Sequence, residues 1–174
     1  ANIVEGKTYR VFAMDQAGNL SAQSGTSFTA DLTAPAAPTN VVINGGNPIN
    51  NANKTTTTLS FEYAEAAKYS YTYTTSGGAG TVSVTDVNAT GSPVTINNID
   101  LSSLEDGTIT VSVTVKDAAG NESTATTDTE MKDVVAPTAP TVVINGGNPI
   151  NASNYTAVSL QISGEIGTTY SYAF

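Results

Sequence analysis

Asn44-Gly45-Gly46-Asn47-Pro48-Ile49-Asn50 recurs without change as Asn145-Gly146-Gly147-Asn148-Pro149-Ile150-Asn151, an offset of 101 residues. Self-similarity at a fixed period marks an array of one structural unit. Working outward, Ala34-Pro35-Ala36-Ala37-Pro38 matches Ala136-Pro137-Thr138-Ala139-Pro140 at an offset of 102. Asp31 falls on Asp133, and Asp15-Gln16-Ala17-Gly18-Asn19 falls on Asp117-Ala118-Ala119-Gly120-Asn121, again at 102. One residue is lost between the Pro pair and the Asn-Gly-Gly string. A period of this size is that of one small β-sandwich domain and far above that of helical solenoid repeats.

The period predicts three segments. Residues 35–136 form one complete unit, 1–34 match the C-terminal part of a preceding unit, and 137–174 match the N-terminal part of a following one. The last match places Tyr170-Ser171-Tyr172 on Tyr69-Ser70-Tyr71. The chain opens on Ala rather than Met, and a longer parent protein is expected.

Charged residues make up 12% of the chain, about half the usual share, and the net charge is −9. Six Lys plus Arg and no His offer no basic patch for phosphates or anionic lipid, so nucleic acid is not an expected partner. Cys is absent, which removes disulfides and thiolate metal sites. A domain of about 100 residues can bury enough core without such staples, so an extracellular home stays open. No stretch approaches the roughly 18 apolar residues of a membrane span.

Thr, Ser, Asn, Gly and Val dominate, but the apolar residues are periodic, which points to folded β-structure. Thr39 to Asn44 reads as a first strand, and Gly45 to Lys54 as a turn-rich loop. Leu59, Phe61 and Tyr63 alternate on a second strand and Tyr69, Tyr71 and Tyr73 on a third. Val82 and Val84 mark a short fourth strand before a turn over Asp86 to Gly91. Pro93 to Ile99 is a fifth strand, with Val94 and Ile96 inward. Leu101 to Gly107 makes a corner. Ile109, Val111, Val113 and Val115 give the cleanest alternation, Asp117 to Asn121 turns the chain, and Ser123 to about Lys132 is the last strand. Seven short strands without helical period predict an all-β fold: an antiparallel two-sheet sandwich, repeated in tandem, one complete unit flanked by two partial ones.

The run Leu101-x-x-Leu104-x-Asp106-Gly107-Thr108, the valine-alternating strand, Asp117-Ala-Ala-Gly-Asn121, then Asp133-x-x-Ala136-Pro137-x-x-Pro140 resembles the bacterial immunoglobulin-like repeats. These form the stalks of large cell-surface adhesins. The resemblance covers the middle unit and both partial ones. It implies a mechanical role, spacing a binding tip from a cell surface, and an extracellular, cell-surface or secreted location. It also implies calcium at the junctions between repeats. The partners would be adjacent repeats of the same chain, with any host or surface ligand bound elsewhere in the parent.

Topology supplies a separate argument for the metal. Strands run alternately up and down, so the loops after strands two, four and six lie at the end where the first strand enters. Those loops carry Glu65, Asp86, and Asp117 with Asn121, and the incoming linker carries Asp31. The second junction would set Asp133 against Glu165. Asp15 and Asn19 hold the equivalent turn of the first fragment. Clustered carboxylates repel unless a cation neutralises them, and oxygen-only ligands select a hard ion such as calcium. Against this, Asp-x-x-Gly-Asn is also good turn chemistry, and Asp31 and Asp133 could be solvated linker residues.

Other features weigh less. Tyr69, Tyr71 and Tyr73 could stack on sugars, but a period of two more often means packing in a sheet. Tyr9, Phe12 and Phe28 read as core of the first fragment. Asn-x-Ser/Thr triplets start at Asn19, Asn53, Asn88, Asn121, Asn151 and Asn154, as a chain this rich in Asn, Ser and Thr produces by chance. Lys54, Lys68, Lys116 and Lys132 fall at strand ends or loops, which argues against a buried Lys–Asn or Lys–Asp crosslink. The chain has no His, Cys, nucleophile elbow or phosphate loop, and an enzyme is not expected. The sequence reading is a calcium-stiffened stalk. The alternatives are a carbohydrate- or protein-binding module of a secreted or phage-associated protein, and a self-assembling surface-layer or filament subunit.

Overall fold

The computed structural model describes residues 2–173. It divides into two compact units, 1–134 and 135–174. In the first, Thr8–Tyr9 (β1) and Phe28–Thr29 (β2) pair as a short antiparallel ribbon. Tyr9 and Phe28 stack with ring centroids 5.3 Å apart. Phe12 and Phe28 are nonetheless each 53% exposed, which corrects the core reading of this aromatic set. A two-stranded ribbon has no second layer to cover it.

Seven strands follow: Thr39–Ile43 (β3), Thr57–Glu62 (β4), Lys68–Thr75 (β5), Thr81–Asn88 (β6), Val94–Ile99 (β7), Gly107–Lys116 (β8) and Thr126–Lys132 (β9). They form two antiparallel sheets in the orders β3-β4-β7 and β6-β5-β8-β9. This is an immunoglobulin-like sandwich in which the fourth strand joins the β5-β8-β9 sheet instead of pairing with β7. The alternation read from sequence is the alternation of burial. Ile109, Val111, Val113 and Val115 of β8 are all fully covered, and the first three share one core with Ile43, Leu59 and Phe61 of the other sheet and Tyr73 of neighbouring β5. Leu101 and Leu104 close the core at the corner before β8.

β6 is longer than its two valines suggest, running on through Asp86. A register shift against β5 and a left-handed Asp86 (φ 54°) place a bulge there. The Asp86 amide donates to Ser70 Oγ at 3.0 Å, and its carboxylate swings to Lys116. Bulges of this kind re-aim a side chain and blunt an edge strand.

The repeated string acts as a sheet-switching corner. Asn44–Gly46 is a 3-10 turn with Asn44 and Gly45 both at positive φ, conformations that Asn and Gly adopt at least strain. Asn44 Nδ2 donates to Asn47 O at 2.9 Å, and Asn50 N donates to Asn53 Oδ1 at 2.7 Å. Beyond the turn, buried Ile49 leaves the β3 sheet and pairs in parallel with Lys132 of the other one. Ile49 N donates to Met131 O at 2.8 Å, and Asp133 N donates to Ile49 O at 2.9 Å.

The second unit reproduces this segment. Thr141–Ile144 (β10) pairs antiparallel with Leu160–Ser163 (β11). Its 3-10 turn at Asn145–Gly147 has the same bonds, Asn145 Nδ2 to Asn148 O at 3.1 Å and Asn151 N to Asn154 Oδ1 at 2.8 Å. One hairpin cannot bury its face, so Val142 is 51% exposed where Val41 is 9%. Tyr170-Ser171-Tyr172, opposite β5 in the repeat, carries no strand.

Candidate functional site at the domain junction

Three loops meet at the end of the sandwich where β3 enters. The β4–β5 loop, the Asp86 bulge and the β8–β9 turn converge there: Ala67 N donates to Lys116 O at 2.7 Å and Ala89 N to Ala67 O at 2.9 Å. Lys116 Nζ lies 3.0 Å from Asp86 Oδ1 and 3.7 Å from Glu122 Oε2. Asp86 therefore has a cation already, an ammonium, and its carboxyl is held below the usual range first by that hydrogen bond.

Asp117 is buried, and its two oxygens take three donors. Gly120 N and Asn121 N reach Oδ1 at 2.7 and 2.9 Å, and Asn121 Nδ2 reaches Oδ2 at 2.8 Å. The Asn121 side chain, above all, depresses the Asp117 carboxyl. Asp15 and Asn19 repeat the turn in the first fragment, with Asn19 N to Asp15 Oδ1 and Asn19 Nδ2 to Asp15 Oδ2 both at 2.8 Å. Again the Asn side chain is the main reason the Asp15 carboxyl is lowered.

Asp31 does come to this turn, but through its backbone. Asn121 Nδ2 donates to the Asp31 carbonyl at 3.1 Å, while Asp31 Oδ1 accepts from Thr33 N of its own linker at 3.2 Å. Glu65 is exposed on the β4–β5 loop. Asp133 belongs to the first unit, and Glu165, whose Oε2 accepts from Thr138 N at 3.2 Å, to the second. By strict offset Glu165 stands opposite Ala64 rather than Glu65.

Do these residues fit calcium? The ion needs six to eight oxygens, usually several of them carboxylate. Among the described residues no three Asp, Glu, His or Cys side chains gather closely enough to hold a metal. The Asp117 oxygens are spent on N–H donors, and Asn121 turns its amide nitrogen, a donor, toward the linker. The donor set in this arrangement does not fit the ion.

Sequence reasoning gave no linker role to two acids that accept N–H bonds from linker residues. Glu5 Oε2 accepts from Leu32 N at 2.5 Å, and Asp106 Oδ2 accepts from Val134 N at 3.1 Å. Each acid stands immediately before a glycine, Gly6 or Gly107, at an offset of 101 that could have revealed them. Lys132 was also misplaced by its strand-end position. It is 2% exposed and donates to Leu104 O at 2.7 Å and Asp106 Oδ1 at 3.0 Å. Both Asp106 oxygens are thus occupied, and the Lys132 hydrogen bond is the first cause of its lowered pKa. Lys132 and Asp106 thus form a largely buried salt bridge.

The tyrosines settle on the packing side. Tyr71 and Tyr73 are buried in the core, edge to face at 5.9 Å, and burial pushes the Tyr73 hydroxyl pKa up. They present no stacking platform to solvent.

These carboxylates give a pH dependence. Unfolded, each Asp titrates near pH 4. Folded, Asp86, Asp106 and Asp117 titrate lower, so their contribution to stability is complete above about pH 4 and is lost as pH falls through the folded values. The urea midpoint is therefore expected to fall on acidification below about pH 4. Asp117→Asn should make that fall shallower, and an unchanged slope in the variant would count against the assignment.

No protein-family profile matches the chain, and no curated protein does. Among solved structures it is similar to a Ca2+-stabilized adhesin that helps an Antarctic bacterium reach out and bind ice. Identity is 26% over 91% of this chain and 40% of that one, with a TM-score of 0.41. It is similar to a structure bearing on host cell surface retention of a 1.5-MDa bacterial ice-binding adhesin, at 25% identity over 79% and 44% of the two chains and a TM-score of 0.33. It is also similar to the chicken CNTN1 FN1–FN3 domains, at 18% identity over 80% and 50% and a TM-score of 0.39. The chain spans half or less of each of these three. At such TM-scores the likenesses assign no function, and the chain's own repeat and junction geometry carry the reading.

Proposed function

We propose that this chain supplies spacer repeats: immunoglobulin-like sandwiches joined in tandem by short, Pro-bearing linkers, as part of a bacterial cell-surface or secreted adhesin. One observation carries this reading. The same turn, with the same side-chain hydrogen bonds, opens both the complete sandwich and the second unit. A fold copied in series makes length rather than a pocket. The Ala-Pro-x-x-Pro linkers suit that role, because Pro restricts the chain to extended geometry. Calcium is a separate question within this reading: Asp31, Glu65 and Asp117 would have to be drawn together from the positions described above.

The test is small-angle scattering on a chain carrying two complete repeats in tandem, with calcium and then with excess chelator. The expected profile is that of an extended particle. A compact or freely hinged particle under both conditions would overturn the spacer reading, and a change on chelation would restore calcium to it.

A further inference from the structure

Asp31 C=O and Leu32 N–H are the two edges of a single peptide group, and the neighbours grip both. From the sandwich, Asn121 Nδ2 donates to the carbonyl at 3.1 Å. From the first fragment, Glu5 Oε2 accepts the N–H at 2.5 Å, a charge-assisted bond. We propose that this doubly held peptide, not a metal ion, fixes the junction between successive repeats. Glu5, Asn121 and the Asp31–Leu32 peptide form a clamp made wholly of protein groups.

A linker hinges through φ and ψ on either side of each peptide plane. A plane bonded at one edge can still swing about that bond. A plane bonded at opposite edges to two different bodies cannot turn without breaking one bond or the other. Asn121 is itself held, because its second amide hydrogen goes to Asp117 Oδ2 at 2.8 Å. The donor to the linker is therefore oriented before the linker arrives. The Asp31 carboxylate, capping Thr33 N at 3.2 Å, keeps the next linker residue in line.

The parts recur at the repeat period, as a junction device should. Val134, 102 residues after Leu32, donates its N–H to Asp106, the acid that precedes Gly107 as Glu5 precedes Gly6. Asn19 is poised on Asp15 as Asn121 is on Asp117. The clamp rests on the spacer reading but fails separately from it, since an extended array with a mobile or metal-held linker would sink the clamp alone.

Amide hydrogen exchange on the full 174-residue chain, followed by NMR, tests the clamp. Leu32 is 58% exposed, and its N–H is held by Glu5 Oε2. The expected result is slow exchange in the wild-type chain that is unaltered by chelator. Exchange should accelerate about tenfold or more in Glu5→Ala, as loss of one charge-assisted bond implies, and to a smaller degree in Asn121→Ala. Amides of β8 should keep their protection in both variants, showing that the sandwich stays folded. Fast Leu32 exchange in the wild-type chain would overturn the proposal. So would unchanged exchange in Glu5→Ala, or calcium-dependent shifts of the Asp31, Asp117 and Asn121 resonances.

Discussion

Phe61→Ala should lower the stability of the sandwich by about 3–5 kcal/mol. Phe61 sits at the centre of the three-stranded sheet, pairing with Val94 of β7, and only 1% of it is exposed. Its ring meets Tyr69 edge to face at 5.3 Å, across to the other sheet. Truncation removes the transfer energy of the ring and leaves a cavity, because strands hydrogen-bonded on both sides cannot close in. A domain of this size has a total stability of about 5–15 kcal/mol, so the loss is about a fifth of it or more. Urea denaturation checks it. A loss under about 1 kcal/mol would mean that the two sheets are not packed through this residue. Phe61→Leu, which keeps most of the volume, should cost far less.

Asp106→Ala is the second large effect, and its comparison with Lys132→Met is the informative part. Removing Asp106 leaves the buried Lys132 ammonium with the Leu104 carbonyl as its acceptor, and takes from Val134 N–H the carboxylate it donates to. A charge stranded in a dry site is worse than no charge. Replacing Lys132 by Met removes the charge and keeps the length of the buried stem, so the loss should be small. The expected order in thermal unfolding is wild type, then Lys132→Met, then Asp106→Ala well below. The double variant should be more stable than Asp106→Ala alone. Strictly additive losses would show that the pair is not coupled.

Most of the fold is legible in the sequence because most strands bury apolar residues at a period of two. β8 and the Tyr-rich β5 announce their inward faces outright. β9 does not, since its inward residues Thr126, Asp128, Glu130 and Lys132 are polar while Met131 faces out at 53% exposure. The reason is that β9 meets β3 through side chains instead of a ladder. Asp128 Oδ2 accepts from Ile43 N at 2.8 Å, and Thr126 Oγ1 donates to Pro38 O at 2.6 Å. Hydropathy cannot read a strand whose inward groups serve as hydrogen-bond partners.

The junction was half legible for a similar reason. Turn chemistry marked Asp117 to Asn121, and the up-and-down topology brought Asp31 to it. Which end of the Asn121 amide faces the linker, and that Asp31 offers a backbone carbonyl instead of its carboxylate, are facts of conformation that residue types do not encode. Counting acids does not reveal the N–H donors that the chain supplies at this turn.

The corner at Pro48–Ile49 has a mechanical consequence. Ile49 runs parallel to the end of β9, bonded to Met131 O and Asp133 N. In a tether, tension enters such a domain near its first strand and leaves after its last. Two parallel segments drawn toward opposite ends are loaded in shear, so both bonds must yield together rather than unzip in turn. The string that repeats unchanged along the chain thus sits where a tether would be required to resist first.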